Sequence, residues 1–456
     1  MKKYRLIAFL LLSAMLFSAC GTQSVVIPDV QGDDSANPPS GDEPIVPSHP
    51  SILPIDPPSD PVDPPDPVDP PDPVDPPDPV DPPDPVDPPD PVDPPKPTYP
   101  QKVTFLAAGD NILHEAVFTD AMQQANILAS TGSFSKKYYF GGMYDPVAAL
   151  IATADISFVN QETPVAGDDF GVYGYPLFNG PEEIGNALIE AGFDVVNLAN
   201  NHMLDMDRKG TGLYNTIRYW NDKDILQIGG YLNAADYENI RMMEKNGVKI
   251  AFLSYTDVMN GDYTPNKAQS DVVIPYADKS VMARQVAAAK ALSDVVIVSM
   301  HWGSENTEAV TDTQKSYAKY LAELGVDVIL GHHSHTIQPV EWVQAGDGHK
   351  TLCYYSLGNF LSTQHPIKNL VGIFASFTIA LQEDGSVKIE EAKAIPHLTW
   401  YSTKRDNLKI MLLSDVSEAD IRSHGSQLRT AQNGGTFTLS DVYAIVERVL
   451  DKKFLD

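Results

Sequence analysis

The chain has 456 residues and a net charge of −29 at pH 7. Its two cysteines, Cys20 and Cys353, exclude a disulfide framework and a thiolate zinc site. Residues 101–456 carry −15, which excludes a nucleic-acid-binding protein or a surface built from basic patches for acidic membranes.

Read in chain order, the first segment is an address. Lys2, Lys3 and Arg5 precede an apolar run from Leu6 to Leu16, too short to span a bilayer and matching a signal-peptide core. Phe17-Ser18-Ala19-Cys20 follows and resembles the lipobox of bacterial lipoproteins, with Phe17 where Leu is usual. The expectation is a lipoprotein signal peptide over 1–20, with Cys20 lipidated. The chain would then be held at the extracytoplasmic face of the cell membrane by its acyl chains. An ordinary cleaved signal with a chance cysteine is the alternative.

Residues 21–100 hold 29 of the 38 prolines and a net charge of −17. Such a segment cannot bury enough apolar surface to offset its ordering entropy, and it is expected to be a disordered linker. Within it, residues 61–96 are six tandem copies of Pro-Val-Asp-Pro-Pro-Asp, the last ending in Lys96. Polyproline II at about 3.1 Å per residue gives a spacer of roughly 110 Å. The alternative is a proline-motif ligand for a partner.

From Gln101 onward, apolar runs alternate with helical patterns. The runs are Val103–Ala108, Ile156–Val159, Phe193–Ala199, Val248–Leu253, Val295–Met300, Val326–Leu330 and Leu352–Ser356. Helices are predicted over Pro181–Ala191, Asp207–Asp222, Lys279–Leu292 and Thr311–Leu324. The order reads as an α/β domain over 101–456 with sheets buried on both faces. Polar residues follow the runs: Asp110 after the first, Asn160-Gln161-Glu162 after the second and Asn200-Asn201-His202 after the third. His301 and then His332-His333-Ser334-His335 follow later ones. Carboxyl ends of strands share one edge, so these residues are predicted to converge there. Imidazole, carboxylate and amide oxygen suit manganese, iron or zinc. On a strand exit, His333 and His335 point to the same side. His114, His349, His365, His397 and His424 lack this placement.

The stretches Ala108-Gly109-Asp110, Asn160-Gln161-Glu162-Thr163-Pro164, Asn200-Asn201-His202, His301-Trp302-Gly303, Gly331-His332-His333-Ser334-His335 and Ser356-Leu357-Gly358-Asn359-Phe360 resemble the CapA family of capsule-synthesis proteins. That family is associated with poly-gamma-glutamate capsules and belongs to the calcineurin-like metallophosphoesterase superfamily. The resemblance implies a four-layer α-β-β-α sandwich with a dinuclear metal centre. Asp110 and His335 would hold one metal, and Asn201, His301 and His333 the second. Glu162 would sit at the bridging position, and His202 would be the general acid. The sequence departs from the superfamily at its first motif, Asp-x-His: Ile112 stands where the His belongs, and His114 is two positions late. One tight divalent ion (Mn, Fe or Zn) and a second, weaker one are therefore expected. The substrate would be the anionic polymer, poly-gamma-glutamate, or a phosphoester, acted on by a metal-dependent hydrolase site. The alternatives are a non-catalytic scaffold that binds the polymer or membrane synthase and export subunits, and a free-standing secreted phosphoesterase.

Overall fold

The computed structural model describes residues 98–132, 134–260 and 271–455. The signal peptide, Cys20 and the proline-rich repeat lie outside the described residues. Among those described, no helix is long and apolar enough to cross a membrane.

Two sheets form the body. In the first, β1 (Gln101–Asn111), β2 (Ile156–Gln161), β3 (Val195–Asn197) and β4 (Leu226–Ile228) run parallel. In the second, β6 (Val248–Thr256), β7 (Val295–His301) and β8 (Val328–His332) run parallel, with β5 (Arg241–Lys245) antiparallel on the edge of β6. The second sheet ends in β10 (Lys350–Tyr354), parallel to β8, and the antiparallel edge strand β9 (Val340–Gln344). The short β11 (Asn359–Leu361) pairs with β1 beside Asp110. The first sheet is extended antiparallel through β12 (Val371–Leu381), β13 (Val387–Trp400) and β14 (Lys409–Leu412).

The inner faces of the sheets pack on one another: the rings of Phe105 on β1 and Phe252 on β6 lie 6.2 Å apart, both buried. Each such side chain contributes about 1.5–3 kcal/mol by leaving water. The outer face of the second sheet is covered by helices Lys279–Leu292 and Asp312–Glu323. These pack Met282, Val286, Ala318 and Leu321 against Ala251, Val296 and Ile329. Helices Gly141–Ile151, Glu183–Glu190 and Thr211–Asn221 lie against the first sheet. The result is a four-layer α-β-β-α sandwich.

Helix starts follow capping chemistry. Asp278 accepts from the amides of Ser280 and Val281, and Thr311 with Gln314 forms a capping box. The helix expected over Asp207–Asp222 begins instead at Thr211. Asp207 stays outside it and accepts from the amides of Thr211 and Gly212 at 3.0 and 3.1 Å. The run Phe193–Ala199 yields only three strand residues. The chain then turns at Asn200, whose Oδ1 accepts the His202 amide at 2.8 Å.

Candidate metal centre

The carboxyl ends of β1, β2, β3, β7 and β8 meet at one edge, where the two sheets face each other. Asp110, Glu162, Asn201, His301, His333 and His335 come together there, all at least 94 % buried. Their donor atoms form two groups, Glu162–His301–His333 and Asp110–Glu162–His335, each with its atoms within 4.8 Å of one another. Glu162 belongs to both. Its Oε1 lies 3.9 Å from Nε2 of His301, 3.8 Å from Nε2 of His335 and 3.9 Å from Nε2 of His202. Asn201 Oδ1 lies 2.8 Å from His301 Nε2, which places the amide oxygen at the first group.

The loop that carries the last two imidazoles is strained. His333 and His335 have φ of 90° and 56°, a region that non-glycine residues rarely occupy. Such strain costs about 1–3 kcal/mol per residue and persists where the surroundings over-determine it. Here the His333 amide is held by Asp110 Oδ2 at 3.3 Å, and His335 Nδ1 lies 3.1 Å from the same oxygen.

The two carboxylates sit in different fields. Burial lifts the Glu162 carboxyl well above the usual range, and the Asp110 charge adds to this. Burial acts on Asp110 in the same direction, but the imidazoles of His332 and His335 outweigh it and hold that carboxyl well below the usual range. Burial lowers His333 to about 3, with His335 adding to it. For His335 burial is overcome by Glu162 and Asp110, which raise it to about 9.

A chain of buried side-chain hydrogen bonds fixes Asp110. Ser254 Oγ on β6 donates to Asn197 Oδ1 at 2.5 Å, and Asn197 Nδ2 donates to Asn160 Oδ1 at 2.7 Å. Asn160 Nδ2 then donates to Asp110 Oδ1 at 2.8 Å. The amides are oriented so that every partner is satisfied, and the chain ties both sheets to the site.

His202 is held beside the groups. Its Nδ1 lies 2.6 Å from Asp205 Oδ2, which also accepts the Phe178 amide at 2.7 Å. The Phe178 ring meets the imidazole edge-on at 4.7 Å. Nε2 is left facing Glu162. Asn260 Nδ2 lies 3.1 Å from His202 Nδ1, and Asn260 Oδ1 accepts from Asn201 Nδ2 at 2.9 Å, so Asn260 touches both residues. The groups open into a pocket of about 490 Å³ whose walls include Ile112, Tyr175, His202, Asp207, Glu305 and His335.

Asn260 is not singled out by the strand-end pattern; His332 is, but it joins neither donor group. His332 ends β8, stacks on Phe158 at 5.8 Å and has Nδ1 3.5 Å from Asp110 Oδ1. His114 lines the pocket but joins neither donor group. Of the other histidines set apart by the sequence, His397 and His424 are core residues, and His424 Nε2 lies 3.0 Å from the Thr399 carbonyl.

No ion is needed to see that the donors fit one. Both oxygens of Glu162, Nδ1 of His301 and Nδ1 of His333 are buried without a hydrogen-bond partner. Buried polar atoms are almost always satisfied, and a carboxylate among imidazoles is a donor set for a hard or borderline divalent cation.

A four-layer sandwich with carboxylates and imidazoles gathered at the strand ends defines the class: a metallophosphoesterase-like fold with a candidate metal centre. Residues 104–364 match the family model described as "Bacterial capsule synthesis protein PGA_cap", and the chain belongs to that family. It is 36% identical over 187 residues to the capsule biosynthesis protein CapA of Bacillus anthracis, covering 40% of this chain and 43% of the relative. It is 31% identical over 224 residues to the PGA biosynthesis protein CapA of Bacillus subtilis (strain 168), covering 49% and 56%. The chain thus spans about half the length of the curated relatives it matches. Among solved structures, the NAD nucleotidase of Haemophilus influenzae overlaps 78% of this chain and 64% of its own, at a TM-score of 0.37 and 11% identity.

Proposed function

We propose that this chain is a lipid-anchored, extracytoplasmic component of poly-gamma-glutamate capsule synthesis, and that its pocket is a metal-dependent hydrolase site. The observation that carries the chemistry is Glu162: a carboxylate 1% exposed, with neither oxygen hydrogen-bonded and three imidazole nitrogens within 3.9 Å of Oε1. Glu162, Asn201, His301 and His333 would hold one divalent ion, and Asp110, Glu162 and His335 a second, weaker one. Bound there, such ions supply positive charge for a developing oxyanion and lower the pKa of water. His202 does the proton work: Asp205 fixes Nδ1, so Nε2 faces the pocket and can donate to a leaving group. The bond cleaved is an amide link of the polymer or a phosphoester. Support for the polymer comes from the names of the relatives. The membrane anchor rests on Cys20 and the lipobox-like residues before it.

A second reading, a polymer-binding or export scaffold without turnover, is favoured by Ile112. This buried aliphatic side chain stands where the superfamily has a histidine ligand. One experiment separates the two. Metal content is measured on the full chain and on His333→Ala and His202→Ala, together with cleavage of a gamma-linked glutamate oligomer and of an aryl phosphodiester. The hydrolase reading expects His333→Ala to lose metal, and His202→Ala to keep metal but lose cleavage. Metal-loaded wild type that cleaves neither probe leaves the scaffold.

A further inference from the structure

The pocket at the metal centre continues into a second trough of about 380 Å³, with which it shares His114 and Tyr175. Lys404 and Arg405 line the far end of this trough, and Glu115 is its one carboxylate. Arg405 is fixed in place. Its Nη2 donates to the Thr363 carbonyl at 3.0 Å and to Thr363 Oγ1 at 2.7 Å. The Thr363 amide in turn points at His114 Nδ1, 3.4 Å away, so a single residue links Arg405 to the pocket wall. The backbone at Arg405 has φ of 61°, a conformation closed by its amide bonding to the Ser402 carbonyl at 2.8 Å.

A guanidinium has five N–H donors. Only Nη2 finds protein acceptors here; Nε is buried without a partner, and Nη1 has none among the described residues. The ion pairs of the described lysines and arginines lie elsewhere on the surface. In a domain of net charge −15, Lys404 and Arg405 are thus two adjacent cations that form no ion pair within 4.0 Å among the described residues. The Arg405 charge reaches the neighbourhood: His365 is held down to about 4, by burial first and then by Arg405 and Arg429.

We infer that Arg405 and Lys404 form a subsite for an anionic oxo group, carboxylate or phosphate, on a substrate whose reacting bond lies at the metal centre. A planar, anchored guanidinium with open N–H groups is suited to such a group, and the lysine adds a mobile charge. The choice of a polymer carboxylate over a phosphate rests on the function proposed above; the subsite itself does not. The arrangement also shows how an acidic domain could take a polyanion: through a short cationic strip leading to the pocket rather than through a broad basic face.

The test is calorimetric titration of the full chain, in chelator, with three probes. These are a ten-residue gamma-linked glutamate oligomer, the same oligomer with its free carboxyls amidated, and inorganic phosphate. Arg405→Gln is expected to weaken binding of the glutamate oligomer about tenfold or more, the loss of one charge-assisted hydrogen bond. Lys404→Gln, at an exposed position, should weaken it less and reduce its salt dependence, and the amidated oligomer should not compete. Lys102→Gln, an exposed cation at the opposite end of β1 from the site, should bind as wild type does. Wild-type affinity in both Arg405→Gln and Lys404→Gln, or equal binding of the amidated oligomer, would overturn the proposal. Binding of phosphate through Arg405 without binding of the glutamate oligomer would uphold the subsite and remove the polymer from the function proposed. Arg405-dependent binding of the oligomer, with no cleavage of it when the chain is then assayed in excess manganese or zinc, would uphold the subsite and remove the polymer hydrolase.

Discussion

Replacing Glu162 by Gln gives opposite outcomes with and without metal. The change keeps the shape of the side chain and removes its charge. In wild type without metal, a fully buried carboxyl has no hydrogen bond on either oxygen, and burial pushes its proton affinity up. Above its ordinary range such a carboxyl must either hold a proton that the unfolded chain releases or bury a charge, at about 1.4 kcal/mol per pH unit, a cost the neutral amide does not bear. Metal-free Glu162→Gln should therefore be about 1–3 kcal/mol more stable than metal-free wild type. With a divalent ion at about 1,000 times its Kd, wild type gains roughly 4.1 kcal/mol by mass action. The variant should gain almost nothing, because the residue shared by both donor groups has lost its charge. The order of stability reverses. Urea unfolding followed by circular dichroism, in chelator and in excess manganese or zinc, reads both values. An equal gain from metal in the two proteins would refute the reasoning.

Three further outcomes are expected. Gly109→Ala should be destabilising by about 3 kcal/mol and should deplete bound metal. Its new Cβ would land on the Gly358 carbonyl oxygen and 3.0 Å from the Gly358 carbonyl carbon, so the strand bearing Asp110 must move; undiminished metal content and stability would contradict this. His397 is buried with neither ring nitrogen bonded, and burial lowers it from 6.5 to about 3. The unfolded chain then binds the extra proton, so this contribution to stability is complete above about pH 6.5 and is lost as pH falls toward about 3. Between pH 6.5 and 4.5 the loss is about 2–3 kcal/mol; His397→Leu should flatten that limb, and identical pH slopes for the two proteins would count against it. Finally, wild type should partition with membranes and Cys20→Ser should not, and equal release of both into the medium would remove the anchor.

The strand ends were legible because burial on both faces makes each parallel strand a continuous apolar run. The polar residues that follow such a run therefore stand out. Asp110, Glu162 and His301 are found that way, and the alternation with helical patterns implies the sandwich. What stayed hidden is of two kinds. β13 reads Val-Lys-Ile-Glu-Glu-Ala-Lys-Ala-Ile-Pro over its first ten residues; its charges face solvent on one side, and Pro396 argues against a strand in any local reading. Asn260 and Arg405 reach the site through loops, and their roles depend on tertiary neighbours up to 60 positions away, such as Asn201 for Asn260 and Thr363 for Arg405. Asn197 sits inside an apolar run, where only the fold reveals that its amide bridges two sheets.

That bridge has a direction. From Ser254 through Asn197 and Asn160, each side chain donates toward Asp110, and the carboxylate is the terminal acceptor. The chain stabilises the ionised form of Asp110 from within the protein, before any cation arrives. Under the function proposed above, folding and loading would thereby be separable events: the polypeptide would reach its final architecture empty, with Asp110 already charged and aimed at the place a cation would take.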